Sequence, residues 1–220
     1  VTATACMAAL REYLSADVAL ANSPGKVLYS SAATLDPFPI YFLGTNPGGA
    51  LPSTLAQSLD DITNGSNEYL DYSWECRPLG QAKLQKQVTR FLSGLGFESR
   101  NVPASNIVMT RSRGITSHHD MDGDARRCWP LHQIILESVQ PRAILAFGSG
   151  LEKSAFAYLR AFLKPDEVES IPAEQPGFTC HAFKASLGTR TTNVVVVPHL
   201  TRYSPYKKPA IMEWVKARLA

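Results

Sequence analysis

An α/β fold, a three-layer α/β/α sandwich around a central four-stranded parallel sheet, is what this sequence predicts, on three observations. Short apolar runs alternate with stretches of helical periodicity, the order that sets helices on both faces of a parallel sheet. The runs are continuously apolar, as strands covered on both faces are. Each run then stops in a turn rich in glycine or polar residues.

Taken in order, residues 2–20 form a helix in which Met7, Leu10, Leu14 and Val18 fall on one stripe. Ser23-Pro24-Gly25 ends it. Residues 26–36 are irregular, with a short apolar piece at 27–29. The first strand is Pro39-Ile40-Tyr41-Phe42-Leu43, and it runs into Gly44-Thr45-Asn46-Pro47-Gly48-Gly49. There the glycines tolerate backbone angles that other residues avoid, Pro47 fixes one more dihedral, and Asn46 stands at the tip. A long polar excursion spans residues 53–74, with Asn64-Gly65-Ser66-Asn67 inside it and one helical turn near 55–61. Excursions of this length are more often functional or mobile than mere connections.

Residues 81–95 are helical through Leu84, Val88, Phe91, Leu92 and Leu95, closed by Gly94 and Gly96. A second strand lies within 102–110, before the basic loop Arg111-Ser112-Arg113-Gly114. Residues 117–127 read as a polar loop and 129–139 as a helix with Leu131, Ile134, Ile135 and Val139 on its core face. Residues 143–147 are the third strand, closed by Gly148-Ser149-Gly150, and 151–163 the next helix. The stretch 165–192 reads as loop, punctuated by Pro165, Pro172, Pro176 and Gly177. Consecutive valines at 194–197 mark the fourth strand, within 193–197. A loop (199–209) and a helix (210–219) follow.

A chain of 220 residues suffices for a single domain with a sizeable core. With 45% hydrophobic and 19% charged residues, the composition is neither disordered nor membrane-like. No apolar run approaches the roughly 20 residues of a membrane span. Residues 1–20 carry Arg11, Glu12 and Asp17 and lack the basic-then-apolar order of a secretion signal. Cys6, Cys76, Cys128 and Cys180 lie far apart, which argues against a compact zinc or iron–sulfur site and makes a reducing cytoplasm the simplest setting. A cytoplasmic monomer without a cofactor is expected. Net charge +3 permits a polyanionic partner without demanding one.

In a parallel sheet every loop leaving a strand opens on one edge, where ligands of open α/β sheets bind. The loops at Asn46, 111–113, 148–150 and 199–202 are therefore expected to meet.

Those loops resemble motifs of the uracil-DNA glycosylase superfamily. Gly44-Thr45-Asn46-Pro47-Gly48 is similar to the Gly-x-Asn-Pro-Gly motif of its mismatch-specific and single-strand-selective branches. Asn106-Ile107-Val108-Met109-Thr110 resembles the Asn-Ala-Val-Leu-Thr segment of the main enzymes. Arg77-Pro78-Leu79-Gly80, Cys128-Trp129-Pro130-Leu131 and the strand 140–148 are similar to stretches of the thermostable branch. Pro198-His199-Leu200-Thr201-Arg202-Tyr203-Ser204-Pro205 corresponds in position to the His-Pro-Ser-Pro motif. The resemblance covers residues 38–206 and rests on the order of the motifs more than on any one.

It implies an enzyme of DNA base excision repair that flips uracil or a related deaminated base into a pocket and hydrolyses its N-glycosidic bond. Asn46 would then orient the attacking water; as a neutral amide it accepts a hydrogen bond but takes no proton, so slow turnover is expected. His199 would donate to an oxygen of the leaving base, and Asn106 would read the base edge with a carboxamide that both donates and accepts. Gly44, Thr45 and Pro47 would shape the base pocket. Leu79 stands where the family has a stacking aromatic, and Trp74 or Tyr72 are candidates to replace it. Arg111, Arg113, Arg202 and Tyr203 are candidates for DNA contacts, Arg202 and Tyr203 as wedge or phosphate residues.

Each residue also has a plainer reading: Asn46 in a structural turn, His199 bonded to backbone, Asn106 bonding its own turn, the arginines solvated. Cys128 occupies an iron–sulfur position of the thermostable branch but lacks paired cysteines, so it reads as packing. His118-His119-Asp120-Met121-Asp122-Gly123-Asp124 lacks a metal-loop spacing and reads as a solvated loop. Two rivals stay open: a base-binding module of the same fold without turnover, and a hydrolase of free nucleosides.

Overall fold

The computed structural model describes residues 2–49, 53–62, 65–113 and 117–219. Its strands are β1 (Ile40–Gly44), β2 (Ala104–Asn106), β3 (Ala143–Phe147), β4 (Glu169–Pro172), β5 (Thr179–Leu187) and β6 (Arg190–Val197). They form one sheet in the order β2-β1-β3-β6-β5-β4. The block β2-β1-β3-β6 is parallel, and β5 and β4 add to it antiparallel. The sheet is thus six-stranded and mixed, not four-stranded and parallel. The two extra strands come from the stretch read as loop. A tight hairpin through Gly188, at φ +61°, pairs Leu187 with Arg190 and starts β6 earlier than its valines do. Pro172 ends the exposed edge strand β4, where a missing N–H is tolerated.

Successive residues of the parallel strands face opposite ways, and both sides are covered. Tyr41, Leu43, Ile144, Ala146, Val194 and Val196 pack with residues of the helices α1 (Ala3–Ala16), α2 (Val18–Ala21), α3 (Leu55–Asp61), α5 (Met121–Val139) and α6 (Ala155–Leu163). Ile40, Phe42, Leu145, Phe147, Val195 and Val197 pack with α4 (Lys83–Gly94) and α7 (Pro209–Leu219). No helix among the described residues is long and apolar enough to cross a membrane.

Three helical boundaries differ from expectation, each for a local reason. Asp17 leaves helical geometry and its carboxylate accepts from Leu20 N, so the N-terminal helix breaks and restarts as α2. The break shifts the phase: Leu20 is buried, whereas Val18 is 63% exposed. The supposed loop 117–127 supplies the first turns of α5, where Asp120 caps Gly123 N and Asp122 and Asp124 suit the positive helix end. Met121, Ala125 and Cys128 begin a buried stripe that Leu131, Ile135 and Val139 continue, and this carries the helix past Pro130. Finally, α6 starts at Ala155 behind the cap Ser154, so residues 151–154 are not helical.

A buried polar network joins the sheet region to α5. His132 Nε2 lies 3.1 Å from the Ile107 carbonyl, which can only accept, so Nε2 carries the proton. Nδ1 then accepts from the Tyr41 hydroxyl at 2.9 Å. Burial lowers the imidazole pKa to about 4.

Two outcomes are expected. Leu20→Ala costs about 2–5 kcal/mol in urea denaturation, whereas Val18→Ala stays within about 0.5 kcal/mol. Because the folded pKa of His132 is depressed, the unfolded chain binds more protons below its ordinary value of 6.5. The stabilisation is complete above that pH and is lost as pH falls toward 4, on the order of 3 kcal/mol from this group. His132→Gln should show a shallower loss across the same window.

Candidate functional site

The ends of three parallel strands meet at one missing side chain. Gly44 closes β1 opposite Asn106, the last residue of β2. A Cβ on Gly44 would lie 2.2 Å from Asn106 Oδ1 and 2.8 Å from Cζ of Phe147, the last residue of β3. Only glycine lets the Asn106 amide and the Phe147 ring approach the strand from its two sides.

Beyond Gly44 the chain turns, and Asn46 is held by its amide nitrogen, which donates to the Pro47 carbonyl at 3.1 Å and to Ser112 Oγ at 3.0 Å. Its Oδ1 accepts no hydrogen bond among the described residues. Ser112 N also donates to the Pro47 carbonyl, and the Arg111 guanidinium Nη1 donates to that of Gly48. The 111–113 loop thus braces the Asn46 turn.

After β6, Thr201 N donates to His199 Nδ1 at 3.3 Å and the Thr201 hydroxyl lies 2.8 Å from the same atom. A backbone N–H can only donate, so Nδ1 is an acceptor and the neutral ring carries its proton on Nε2. Burial, then the nearby Arg202 charge, lowers the pKa and keeps the ring neutral. The imidazole stands edge-on to Phe147, centroids 5.2 Å apart.

These groups line a cavity of about 360 Å³, within the range of small-ligand sites. Asn46, Gly48, Gly49, Asn106, Arg111, Phe147, His199 and Thr201 come from the strand-end loops, and Tyr29, Glu68, Tyr69, Ser73, Trp74, Glu75 and Leu84 form the rest of the wall. Tyr29 and Asn106 line the same cavity. Trp74 meets Tyr29 and Tyr69 edge-on, with centroids 5.9 and 5.8 Å away, and donates Nε1–H to Glu68 Oε2 at 2.9 Å. Glu68 Oε1 pairs with Lys26 Nζ at 2.5 Å, both side chains buried. Its backbone is tied to Tyr29 O, which its N–H reaches at 2.8 Å, and to Gln85 of α4.

Asn46, Asn106, His199, Trp74 and Arg111 therefore come together as expected, while other expected residues lie elsewhere. Thr45 Oγ1 accepts from Ala155 N at 3.2 Å and joins β1 to α6. Pro47 contributes its carbonyl to the turn, and Gly44 the space already described. Leu79 is 61% exposed and outside the cavity, because residues 75–80 turn outward through positive φ at Glu75, Cys76 and Gly80. Tyr203 is no wedge: its N–H folds back to His199 O and its hydroxyl donates to Ala173 O at 2.8 Å in the core. Arg113 and Arg202 are exposed, and Arg202 lines a second cleft that shares His199 and Thr201 with the cavity. Asn64 and Gly114 lie outside the described residues.

The side chain of His118 is covered rather than solvated, at 5% exposure. Its Nε2 and the Asp124 carboxylate both meet the Thr110 hydroxyl, at 2.9 and 2.7 Å. Cys128 is buried and receives Met109 N at 3.4 Å, with burial raising its pKa to about 12.

Sequence reasoning missed Tyr29, Lys26, Glu68, Tyr69, Phe147 and Thr201. Phe147 was findable, since it ends a strand beside glycine; Glu68 and Tyr29 carry no local signal. No protein-family model and no curated protein matches this chain.

Lys26→Met strands a buried carboxylate at Glu68 and should cost about 3–5 kcal/mol by chemical denaturation. The double variant Lys26→Met/Glu68→Gln should regain a large part of that loss.

Proposed function

We propose that this protein hydrolyses the N-glycosidic bond of uracil or a related deaminated base in DNA, as a cofactor-free monomer of the cytoplasm with a uracil-DNA glycosylase-like version of the α/β fold. One observation carries the reading: Asn46, Asn106 and His199, which matched the motifs separately, line a single cavity large enough for one base.

In that cavity the Asn106 carboxamide donates and accepts along the base edge. The sugar–base bond breaks with its electron pair passing to the base, and the His199 Nε2–H donates to the oxygen on which charge gathers. Asn46 Oδ1 accepts from a water that adds to the anomeric carbon, and the water's proton goes to solvent, since the amide cannot hold it. The aromatic wall of Tyr29, Trp74 and Phe147 shields the base from water. Exposed Arg113 and Arg202 are the residues assigned to phosphates.

The burial of Tyr203 favours a second reading, hydrolysis of free nucleosides, because it removes one of the expected duplex contacts.

Single- and double-stranded oligonucleotides bearing uracil, mismatched uracil, hypoxanthine or xanthine separate these readings, with strand cleavage after alkali as the readout. Wild type should excise at least one base, and Asn46→Ala and His199→Ala should each be about 10²–10³-fold slower. Excision from none of them defeats the proposal, and activity on deoxyuridine alone moves it to the second reading.

A further inference from the structure

Basic charge is concentrated on one face beside the cavity. Helix α4 carries Lys83, Lys86 and Arg90 and no carboxylate. Those three cations equal the net charge of +3 of the entire chain, so the remainder balances to zero. At i, i+3 and i+7 they share one side of the helix, in a row about 10 Å long, the span of about three phosphates along one strand. All three are exposed, as is Arg77. Arg77, Lys83 and Lys86 line one cleft against a single carboxylate, Glu75, and none of the three forms an ion pair among the described residues. Glu75 also lines the cavity, so the basic cleft adjoins its rim.

The loop between the cavity and α4 presents an apolar side chain. Residues 75–80 leave the Trp74 wall through left-handed backbone at Glu75 (φ +54°) and Cys76 (φ +55°), an unfavourable conformation away from glycine. The turn is nonetheless fixed. Ser73 Oγ donates to Arg77 O at 2.6 Å, Gln81 N to Pro78 O at 3.0 Å, and Gly80 N to Tyr72 O at 3.1 Å. Leu79 is therefore held outward, one of few large apolar side chains left exposed. The loop after His199, which sequence position marked for contacts with a duplex, folds the other way: Leu200 and Tyr203 are both buried.

We propose that the loop 75–80 and the basic face of α4 are the docking surface for double-stranded DNA, with Arg77, Lys83 and Lys86 on phosphates and Leu79 inserted into the stack that the extruded base leaves. The proposal deepens the glycosylase reading above and rests on it for the choice of DNA. Cations without a protein partner release the counterions of the phosphates they meet, which drives binding at low salt. Extruding a base leaves a gap between its neighbours, and an apolar side chain that fills the gap offsets the unstacking. A single strand has no such stack to hold open, so Leu79 matters most on a duplex.

Wild type, Leu79→Ala and Lys83→Gln/Lys86→Gln are compared on single- and double-stranded oligonucleotides with 2-aminopurine next to uracil. The substituted side chains are exposed, so circular dichroism should match wild type. The lysine variant should bind the duplex more weakly, with the slope of log affinity against log salt reduced by about two. Wild type should raise the 2-aminopurine fluorescence of the duplex, and Leu79→Ala should lose most of that rise. Under single-turnover conditions Leu79→Ala should raise the ratio of single- to double-stranded excision rates by about tenfold. An unchanged salt slope in the lysine variant overturns the proposal, as does a fluorescence rise and rate ratio that Leu79→Ala leaves as they were; excision by wild type then keeps the glycosylase reading. Excision of no base, with salt slope and fluorescence as expected, defeats that reading and leaves the docking surface standing. Absence of duplex binding defeats both.

Discussion

Everything at the strand-end edge depends on the absence of a side chain at Gly44. The parallel register sets Gly44 against Asn106 on one side, and β3 brings Phe147 alongside on the other. Any Cβ there would meet the Asn106 oxygen at 2.2 Å, closer than real contacts allow. A further contact builds on that space, since Phe147 meets the His199 ring edge-on with centroids 5.2 Å apart. The other side of the edge repeats the device: Gly148, at φ +110°, leaves room for Thr45 Oγ1, which in turn receives the start of α6. Close approach at two glycines, more than any single strong bond, aligns the ends of β1, β2 and β3.

The excursion after β1 completes the site by bonds of long sequence separation. Tyr29 N donates to Ala104 O at 2.7 Å beside β2, and Glu68 N reaches Tyr29 O at 2.8 Å. Gln85 of α4 donates to the carbonyls of Glu68 and Tyr72 at 2.7 and 2.8 Å. Lys26 and Glu68, 42 residues apart, close the seam with a buried charge pair. Such a pair is a poor source of net stability but a strict one of geometry, because breaking it leaves a charge unsolvated. It holds Trp74 through the second carboxylate oxygen, and so orients one aromatic wall of the cavity.

These two kinds of constraint explain what could be read in advance. Strands β1, β3 and β6 are written as consecutive apolar residues, because burial on both faces leaves no room for anything else. Asn46 and His199 were legible for the same reason, since each stands just past such a run. By contrast, β5 owes its existence to pairing with β6, and β4 to pairing with β5, and the prolines and Gly177 of this stretch look like loop until the partner strands are known. The first turns of α5 are hidden by Asp122, Gly123, Arg126 and Arg127, and Pro130 looks like a helix start when it is an interior residue. Val18 fits the stripe of one unbroken helix, and only the Asp17 cap reveals the break. Glu68 and Tyr29 are positioned by distant backbone partners, so no local pattern could have announced them.

The chemistry that such a cavity can support follows from how its groups are charged. Asn46 offers an amide oxygen and no basicity, and His199 is held neutral by burial, by Arg202 and by the Thr201 bonds that keep Nδ1 unprotonated. Neither group supplies a strong base or a ready acid near neutral pH. A hydrolysis run with these groups cannot be driven by a deprotonated nucleophile; it must be driven by departure of the base, with the water added late to an already electron-poor sugar. The Glu68 carboxylate would oppose that departure if it stood alone, and its pairing with Lys26 removes the opposition. On the glycosylase reading, the field inside the cavity decides the rate more than the identity of any proton acceptor. The buried ion pair then has a functional consequence as well as a structural one.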